Sequence, residues 1–264
     1  MKQSFPIFII NLPIEKDRRE FMEKQLNNLG ANYEFVEGIY GDDERVKNIY
    51  DESLAIKEHG KPLIFGEKGV ARAHSILYER IIKENIPYSV ILENDMVLPN
   101  NFISIVEKEI QKENKKWDWL SFDYRFVGLP FLSNWLLANY LTIKKKPLFF
   151  FYALIKSPYM IVLSIFEGLR DLVARKVSFY KGGKRFYRPL YNAGAYVITL
   201  AGAKKLLRFI KPMRLTADQV PNTARFKTDF RLFGYVPLVT HQDLAKFGTN
   251  AGKTDKEWEA TVRG

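Results

Sequence analysis

The sequence predicts a mostly parallel α/β sheet with helices on both faces. Short apolar runs typical of buried strands alternate along the chain with longer segments whose apolar residues recur at helical spacing. Parallel strands need helical crossovers, and a sheet covered on both faces accounts for strands that are apolar throughout. At 264 residues, with 47% hydrophobic residues, the chain is long enough to bury a sizeable core.

The first half of the chain contains three predicted strands and two predicted helices. The strands are "FPIFIIN" (5–11), "YEFVEG" (33–38) and "YSVILEND" (88–95). The segment 15–30 has apolar residues at helical spacing and ends in Gly30, a common helix stop. The segment 66–86, entered through Gly66, is predicted to form the second helix.

The second half continues the alternation on either side of an insert. A helix is predicted over residues 100–114, with Asn100 or Asn101 as its N-cap. A further helix is predicted over 201–210. The predicted strands of this half are 117–124, 195–200 and a last short strand within 234–242.

The composition indicates the compartment. The chain has a formal net charge of +11 and no cysteine. Without cysteine it can have neither a disulfide framework nor a thiolate metal site, which fits a reducing compartment. The apolar run near the N-terminus is broken by Pro6 and closed by Asn11, so it is too short for a signal-peptide core. We therefore expect a cytoplasmic protein.

Two acids follow the third predicted strand, in "VILENDMVL" (90–98). Glu93 and Asp95 stand at its carboxyl end, where open α/β sheets bind their ligands. Two hard oxygen ligands suit Mg²⁺ or Mn²⁺ held jointly with a substrate phosphate. Taken alone, a motif this short more often marks solvated turn residues or the surroundings of a helix cap.

Four sequence blocks in a fixed order favour the metal-site interpretation of these acids over the turn interpretation. They are "FIINLPIEKDRREFMEKQL", "GEKGVARAHSILYERII", "VILENDMVLPNNF" and "YNAGAYVITLAGAKKLL", the last followed by "PMRLTAD". Each block alone is weak, but the ordered set resembles the family 25 glycosyltransferases, the bacterial lipopolysaccharide and lipooligosaccharide galactosyltransferase-like enzymes. The likeness spans most of residues 5–125 and 190–245. The chain departs from the family pattern at Val70 and Ala73, where Cys and Ser are usual, and at Asn94, where Asp is usual.

The resemblance implies a GT-A-like, Rossmann-type fold, with residues 1–264 forming one catalytic domain. It also implies a UDP-sugar donor, a divalent cation (Mn²⁺ or Mg²⁺) and a lipid-linked oligosaccharide acceptor. The expected reaction is inverting transfer of a sugar, expected to be galactose, to a hydroxyl of a lipopolysaccharide- or lipooligosaccharide-type glycan. Such a transfer needs a metal as Lewis acid, a positioned donor and a carboxylate that takes the proton of the attacking hydroxyl.

The acidic motif carries the metal assignment that the resemblance implies. Asp95 is expected to bind the metal, and Glu93 to be a second ligand or a contact to the ribose. Asn94 keeps an oxygen acceptor but lacks a charge, and we expect an Asp at this position to be tolerated or to tighten metal binding.

Four further residues are candidates for donor binding. Asn11 could contact the nucleotide, or could form a turn before Pro13. Arg18 and Arg19 could reach the uridine or the diphosphate, or could belong to a solvated helix face. His74 shares a helical face with apolar residues, so it is either a donor-site residue or a satisfied core histidine.

The late sequence block, "YNAGAYVITLAGAKKLL" followed by "PMRLTAD", supplies most of the candidate residues for the acceptor side of the site. Asp218 matches the family's acid after the late helix and is the candidate general base; Asp123, at another predicted strand end, is the alternative. His241 could complete a metal site, although a surface or packing role is more common for a lone histidine. The residues expected to line the donor or acceptor sugar are Asn192, Gly194 and Ala195.

Residues 126–188 form a basic, apolar insert that is predicted to be helical. The stretch 125–188 holds twelve Lys and Arg and two acids, and so carries +10 of the net charge of +11. Its apolar run 148–166 has 19 residues, but Lys156 and Pro158 at the centre argue against a membrane span. Dense basic and apolar residues favour docking on an anionic membrane, here the inner face of the cytoplasmic membrane.

Alternatives to this interpretation remain. The insert could be a buried helical subdomain or a partner interface, and we expect no nucleic-acid binding because the bulky apolar residues would have no role in it. A metal-dependent hydrolase or nucleotidyltransferase could use the same acids, and would turn over without a sugar acceptor. A non-catalytic membrane-surface binding protein with a degenerate metal site would bind neither UDP nor Mn²⁺.

Overall fold

The computed structural model describes residues 3–113, 116–124 and 190–248, together with Pro158, Val162 and two short strands between them. The strands are β1 (Ile7–Asn11), β2 (Tyr33–Glu37), β3 (Tyr88–Glu93), β4 (Met96–Val97), β5 (Trp119–Ser121), β6 (Phe179–Tyr180), β7 (Gly183–Lys184), β8 (Ala195–Thr199), β9 (Leu232–Gly234) and β10 (His241–Gln242). The helices are α1 (Lys16–Asn28), α2 (Glu44–Lys47), α3 (Glu52–His59), α4 (Phe65–Lys83), α5 (Phe102–Gln111), α6 (Leu200–Ile210), α7 (Gln219–Lys227) and α8 (Leu244–Phe247).

A mostly parallel sheet organises the fold, as predicted. Its strand order is β2-β1-β3-β8-β5-β9-β7-β6. β1 pairs parallel with both β2 and β3, and β5 pairs parallel with β9. β8 runs antiparallel between β3 and β5, so among the first six strands of this order β8 alone is reversed. The β6–β7 hairpin adds to the β9 edge through an antiparallel pairing.

Apolar side chains on alternate strand positions form a core on each face of the sheet. Phe8, Ile10 and Ile91 point to the face that is covered by α4 and α6. Ile7 and Ile9 point to the other face, where they pack with residues of α1 and α5. Because both faces are buried, the strands carry apolar residues at every position, which is the pattern that the sequence showed.

Local signals set the ends of the helices. Gly30 has φ +61° and follows α1, which confirms it as the stop of that helix. Thr199 caps α6, because its Oγ1 accepts a hydrogen bond of 2.9 Å from the Gly202 amide. Asn101 stands at the N-cap position of α5, but its side chain makes no cap hydrogen bond.

Several short elements differ from the sequence prediction. α2 and α3 were not predicted, although Asp43 and Asp51 accept hydrogen bonds from backbone amides at their N-termini. The strand predicted within 234–242 is wrong as a single element. It is replaced by β9, which begins earlier, and by β10, which pairs with β4; Pro237 lies between them and has no N–H to donate to a ladder.

The insert 126–188 lies almost entirely outside the described residues, and so does the prediction that it is helical and docks on a membrane. Across the described ranges, no helix is both long enough and apolar enough to cross a membrane.

Candidate active site

A cavity of about 530 Å³ opens at the carboxyl ends of β1 and β3. Because β8 is antiparallel, its amino-terminal end lies at the same edge of the sheet and brings residues 191–193 into the wall. The first half of α4 and the turn before α7 complete the enclosure. The volume falls in the range of small-molecule sites, roughly 300–1,000 Å³. The cavity therefore occupies the place where open α/β sheets bind ligands.

Asp95 is a buried acid in the wall of this cavity. Its Oδ2 accepts a hydrogen bond from Arg18 Nη1 at 3.0 Å, while its Oδ1 is buried and has no hydrogen-bond partner within the described residues. Burial and the neighbouring Glu93 carboxylate raise the pKa of Asp95 to about 6, against the opposing effect of Arg18. An unpartnered, buried carboxylate oxygen in a cavity wall is a group that a ligand or cation can satisfy.

Asn94 lies at the centre of a buried polar network. Its Oδ1 accepts from Arg18 Nη1 at 3.2 Å, and its Nδ2 donates to Asn11 Oδ1 at 2.8 Å and to Glu15 Oε2 at 2.8 Å. Arg18 has only donors, so Oδ1 must face it, and this fixes the orientation of the amide. The two N–H donors of Asn94 then match two acceptors.

Glu93 lines the cavity in front of a buried aromatic network. Its Oε2 accepts from Gln242 Nε2 at 3.1 Å, and its Oε1 lies 3.7 Å from His74 Nε2. His74 Nδ1 contacts Tyr196 Oη at 2.6 Å, and Tyr196 Oη contacts Tyr78 Oη at 2.9 Å. Burial raises the pKa of both tyrosines above the ordinary value of 10.0, so both phenols stay protonated.

Asp218 and Asp123 are joined by Asn192, which has φ +83°. Asn192 donates its backbone N–H to Asp218 Oδ2 at 3.4 Å and its side-chain Nδ2 to Asp123 Oδ2 at 3.2 Å. Thr216 Oγ1 donates to Asp218 Oδ1 at 2.6 Å. Asp218 lines the cavity, whereas Asp123 is 3% exposed and lies behind the wall. The geometry thus favours Asp218 over Asp123 as a group that meets a ligand.

A family assignment follows from the sequence of this site and its surroundings. The profile of Glycosyltransferase family 25 (LPS biosynthesis protein) matches residues 4–221, which is most of the chain. The chain belongs to glycosyltransferase family 25. The family resemblance of the four sequence blocks is thereby confirmed.

Two named relatives are similar in sequence to parts of this chain. Procollagen galactosyltransferase 1-A of Xenopus laevis is 27% identical over 216 residues, which are 78% of this chain and 28% of that protein. The lipooligosaccharide biosynthesis protein lic2B of Haemophilus influenzae is 27% identical over 94 residues, which are 36% of this chain and 35% of that protein. The matches thus span about a third or less of the length of these relatives.

A solved glycosyltransferase involved in the glycosylation of the major capsid of PBCV-1 aligns over 97% of this chain and 99% of its own. The TM-score is 0.43 and the sequence identity is 10%, which is too low a likeness to support a fold or a function for this chain.

Not all of the predicted site residues of this family 25 chain line the cavity. Arg19 points away from it, since its Nε pairs with Glu23 Oε1 at 3.0 Å and its guanidinium stacks 4.0 Å above the Phe35 ring. Arg19 is therefore corrected to a residue of the outer helix face. His241 is exposed, pairs with Val97 of β4 and does not line the cavity.

Three other predicted residues act from behind the wall rather than in it. Asn11 and His74 are buried and do not line the cavity. Asn11 Oδ1 accepts a hydrogen bond from Asn94 Nδ2, whereas His74 Nε2 lies 3.7 Å from Glu93 Oε1 without a hydrogen bond to it. A Cβ at Gly194 would lie 2.6 Å from Asp123 Oδ2 and from Met96 Sδ. Gly194 therefore allows the acid to pack closely beneath the cavity, and the expectation that it lines a sugar is corrected to this role.

Sequence reasoning missed several wall residues. Glu15 lies three positions before Arg18, and their side chains are 3.5 Å apart, a spacing that the sequence could have indicated. Gln242 reaches Glu93 only through the two-residue pairing of β10 with β4, for which the sequence carries no clear signal. His59 and Tyr191 also line the cavity and stand outside the four blocks or at their edge.

The fit of a divalent cation can be tested on the acids of this site. Within residues 3–113, 116–124 and 190–248, no cluster of three His, Cys, Asp or Glu side chains could hold a metal ion. The unpartnered Oδ1 of Asp95 does fit a cation that takes its remaining ligands from substrate phosphates and water. Glu93 Oε2 is engaged by Gln242, so Asp95 is the better protein ligand of the two.

Proposed function

We propose that this family 25 chain transfers galactose from UDP-galactose to a hydroxyl of a lipopolysaccharide- or lipooligosaccharide-type glycan, with inversion at the transferred sugar. One observation carries the proposal: a single cavity is lined both by the motif acid Asp95 and by Asp218. The galactosyltransferase and lipooligosaccharide biosynthesis relatives support the choice of sugar and of acceptor class. A nucleotide sugar is the donor that this family implies.

The donor is positioned by the polar wall at the ends of β1 and β3. Asp95 would hold Mn²⁺ or Mg²⁺ through its unpartnered Oδ1, and the bound ion supplies Lewis-acid stabilisation of the leaving diphosphate. Arg18 is 9% exposed and lies beside Asp95, so its positive charge is fixed in the wall where a diphosphate would approach. Preorganised charge of this kind acts strongly because it is shielded from water.

Asp218 is proposed as the general base. Thr216 holds Oδ1, and Asn192 contacts Oδ2 only at 3.4 Å, so Oδ2 keeps capacity to accept the proton of an acceptor hydroxyl. The hydroxyl oxygen bonds to the anomeric carbon while the bond from that carbon to the diphosphate oxygen breaks. The electron pair leaves with UDP, and the proton moves to Asp218.

The acceptor is proposed to be a lipid-linked oligosaccharide at the inner face of the cytoplasmic membrane. The support is compositional: the stretch 125–188 carries +10 of the net charge of +11 and is rich in apolar residues. A lipid-linked acceptor gives such a segment a reason to meet an anionic surface.

The role of Asp218 can be tested by separating binding from transfer. Asp218→Asn should leave UDP affinity near that of the wild type and lower the transfer rate by roughly 10²–10⁴, the usual share of a general base. The measurement is titration calorimetry with UDP beside a galactose-transfer assay, with Asp123→Asn as the matched variant. If UDP affinity collapses in Asp218→Asn while Asp123→Asn loses only transfer, the base assignment passes to Asp123.

A further inference from the structure

His59, the last residue of α3, presents an unexplained polar side chain to the cavity. His59 lines the cavity, and both of its ring nitrogens are buried without a hydrogen-bond partner among the described residues. A buried polar atom that lacks a partner destabilises the folded protein, so such a group is expected to serve a ligand or a reaction. None of the steps assigned to Asp95 and Asp218 uses His59.

Contacts of residues that precede His59 place α3 next to the segment that leads to Asp218. Glu58 pairs with Arg214 Nε at 3.1 Å and with Lys227 Nζ at 3.3 Å. The Asp51 amide, at the start of the same helix, donates to Met213 O at 2.9 Å. α3 is thus packed against the chain that leads into the turn before α7, and His59 at its end lines the cavity.

Tyr191 reaches the cavity beside the same acid. It directly precedes Asn192, whose backbone N–H contacts Asp218 Oδ2. Tyr191 lines the cavity, and the residue is 39% exposed. An accessible aromatic face beside a hydrogen-bonding group is suited to a ligand that has both an apolar face and hydroxyls.

We propose that His59 and Tyr191 form the subsite that binds the acceptor sugar. A neutral imidazole offers one donor and one acceptor, and a sugar hydroxyl also offers both, so one or two hydroxyls can satisfy the two buried nitrogens. Tyr191 provides the surface for the C–H face of the same ring. This inference rests on the proposed transfer function, since it places the acceptor next to the base Asp218.

The test uses the full chain and p-nitrophenyl β-galactoside and β-glucoside as probes, titrated in the presence of saturating UDP and Mn²⁺. His59→Phe keeps an aromatic ring and removes both nitrogens. It should weaken glycoside affinity about tenfold, the equivalent of one or two lost hydrogen bonds. UDP affinity should stay within about twofold of the wild type, because His59 takes no part in the donor contacts. His59→Gln, which retains one donor and one acceptor, should recover part of the loss.

A stability measurement separates a binding role from a structural one. Because the nitrogens have no protein partner in the described chain, His59→Phe should leave the unfolding midpoint unchanged or raise it. The exposed His241→Phe is the matched control and should change neither glycoside nor UDP affinity. Tyr191→Ala should weaken glycoside binding in the same direction as His59→Phe.

Three results would overturn the subsite: equal glycoside affinity in wild type and His59→Phe, no binding of either glycoside to the wild-type UDP complex, or a lowered unfolding midpoint in His59→Phe. Failure of the proposed function gives a different result, because UDP itself would then not bind to the wild-type protein.

Discussion

At the scale of single residues, Asn94 shows how a departure from a family pattern can be accommodated. Its amide donates to Asn11 and Glu15 and accepts from Arg18. A carboxylate at position 94 would keep the contact to Arg18 but lose both donors, and it would face the carboxylate of Glu15. The expectation from sequence that Asp would be tolerated here takes no account of Glu15, which only the structure brings into contact.

Asn94→Asp should therefore lower the free energy of unfolding at pH 7.5 by about 1–3 kcal/mol, because a buried acceptor is left facing another acceptor. Urea denaturation followed by fluorescence measures the change. Glu15→Gln restores a donor opposite the new acid, so the double variant Glu15→Gln/Asn94→Asp should regain most of the loss. Additive effects of the two substitutions would show that the residues do not interact.

At the scale of elements, the reversed strand β8 brings residues 191–193 into the wall of the cavity. Its apolar residues are buried on both faces, as in the parallel strands, so periodicity could not indicate its direction. The chain between β5 and β8 is long enough for either direction. The sequence therefore predicts that this strand exists but not that residues 191–193 lie at the same edge as Asp95.

Buried ion pairs of Asp118 link β5 to neighbouring elements. Asp118, directly before β5, is 0% exposed. Its Oδ1 accepts from Arg231 Nη2 at 2.9 Å and its Oδ2 from Lys205 Nζ at 3.0 Å. Burial acts to raise the pKa of Asp118, but the hydrogen bonds from Arg231 and Lys205 outweigh it and hold the pKa below 3.8. The carboxylate thus joins α6 and the β9 edge to the centre of the sheet.

Asp118→Asn should lower the free energy of unfolding at pH 7 by about 2–4 kcal/mol, since it leaves two cations without their buried partner. The Asp118 carboxyl has a higher pKa in the unfolded chain than in the folded protein, so the unfolded chain binds the proton first as the pH falls. The stabilisation by the carboxylate is therefore complete above about pH 5 and declines below about pH 4. Urea denaturation at pH 7.0 and 3.5 should show a smaller difference between variant and wild type at the lower pH.

The control for this cluster is Asp229→Asn. Asp229 pairs with the same Lys205 at 2.8 Å, but its side chain is 80% exposed. Its loss should change stability by no more than about 0.5 kcal/mol. A change in Asp118→Asn that is no larger than this, or that is independent of pH, would contradict the structural role of the buried pair.

At the scale of the whole molecule, the sequence predicted the alternation of elements, the two-sided core and the position of the acids at a strand end. Those features depend on local periodicity and on the general geometry of α/β sheets. Glu15, Gln242 and His59 were not predicted, because tertiary contacts rather than local patterns bring them to the cavity. The membrane role of residues 126–188 remains a prediction from composition.

That prediction has a direct test. Replacing Lys144, Lys145 and Lys146 with Glu should release the protein from vesicles that contain anionic lipid, since each basic residue near the surface contributes about 1 kcal/mol. Added salt should weaken the wild-type binding, and neutral vesicles should bind little protein. Co-sedimentation is measured beside transfer to a soluble acceptor, which the substitutions should spare because these lysines lie outside the four sequence blocks. Equal binding to neutral and anionic vesicles, or binding to neither, would favour a buried subdomain.

The central claim is that the cavity at the ends of β1 and β3 binds a nucleotide sugar through Asp95. It is tested most directly by calorimetric titration of UDP, with and without Mn²⁺, into the wild type and into Asp95→Ala. Asp17→Ala, which removes an exposed acid from α1, serves as the control, and near-UV circular dichroism checks the fold. We predict Mn²⁺-dependent UDP binding in the wild type and in Asp17→Ala, and at least about 100-fold weaker binding in a folded Asp95→Ala. Wild-type UDP affinity in Asp95→Ala would contradict the account.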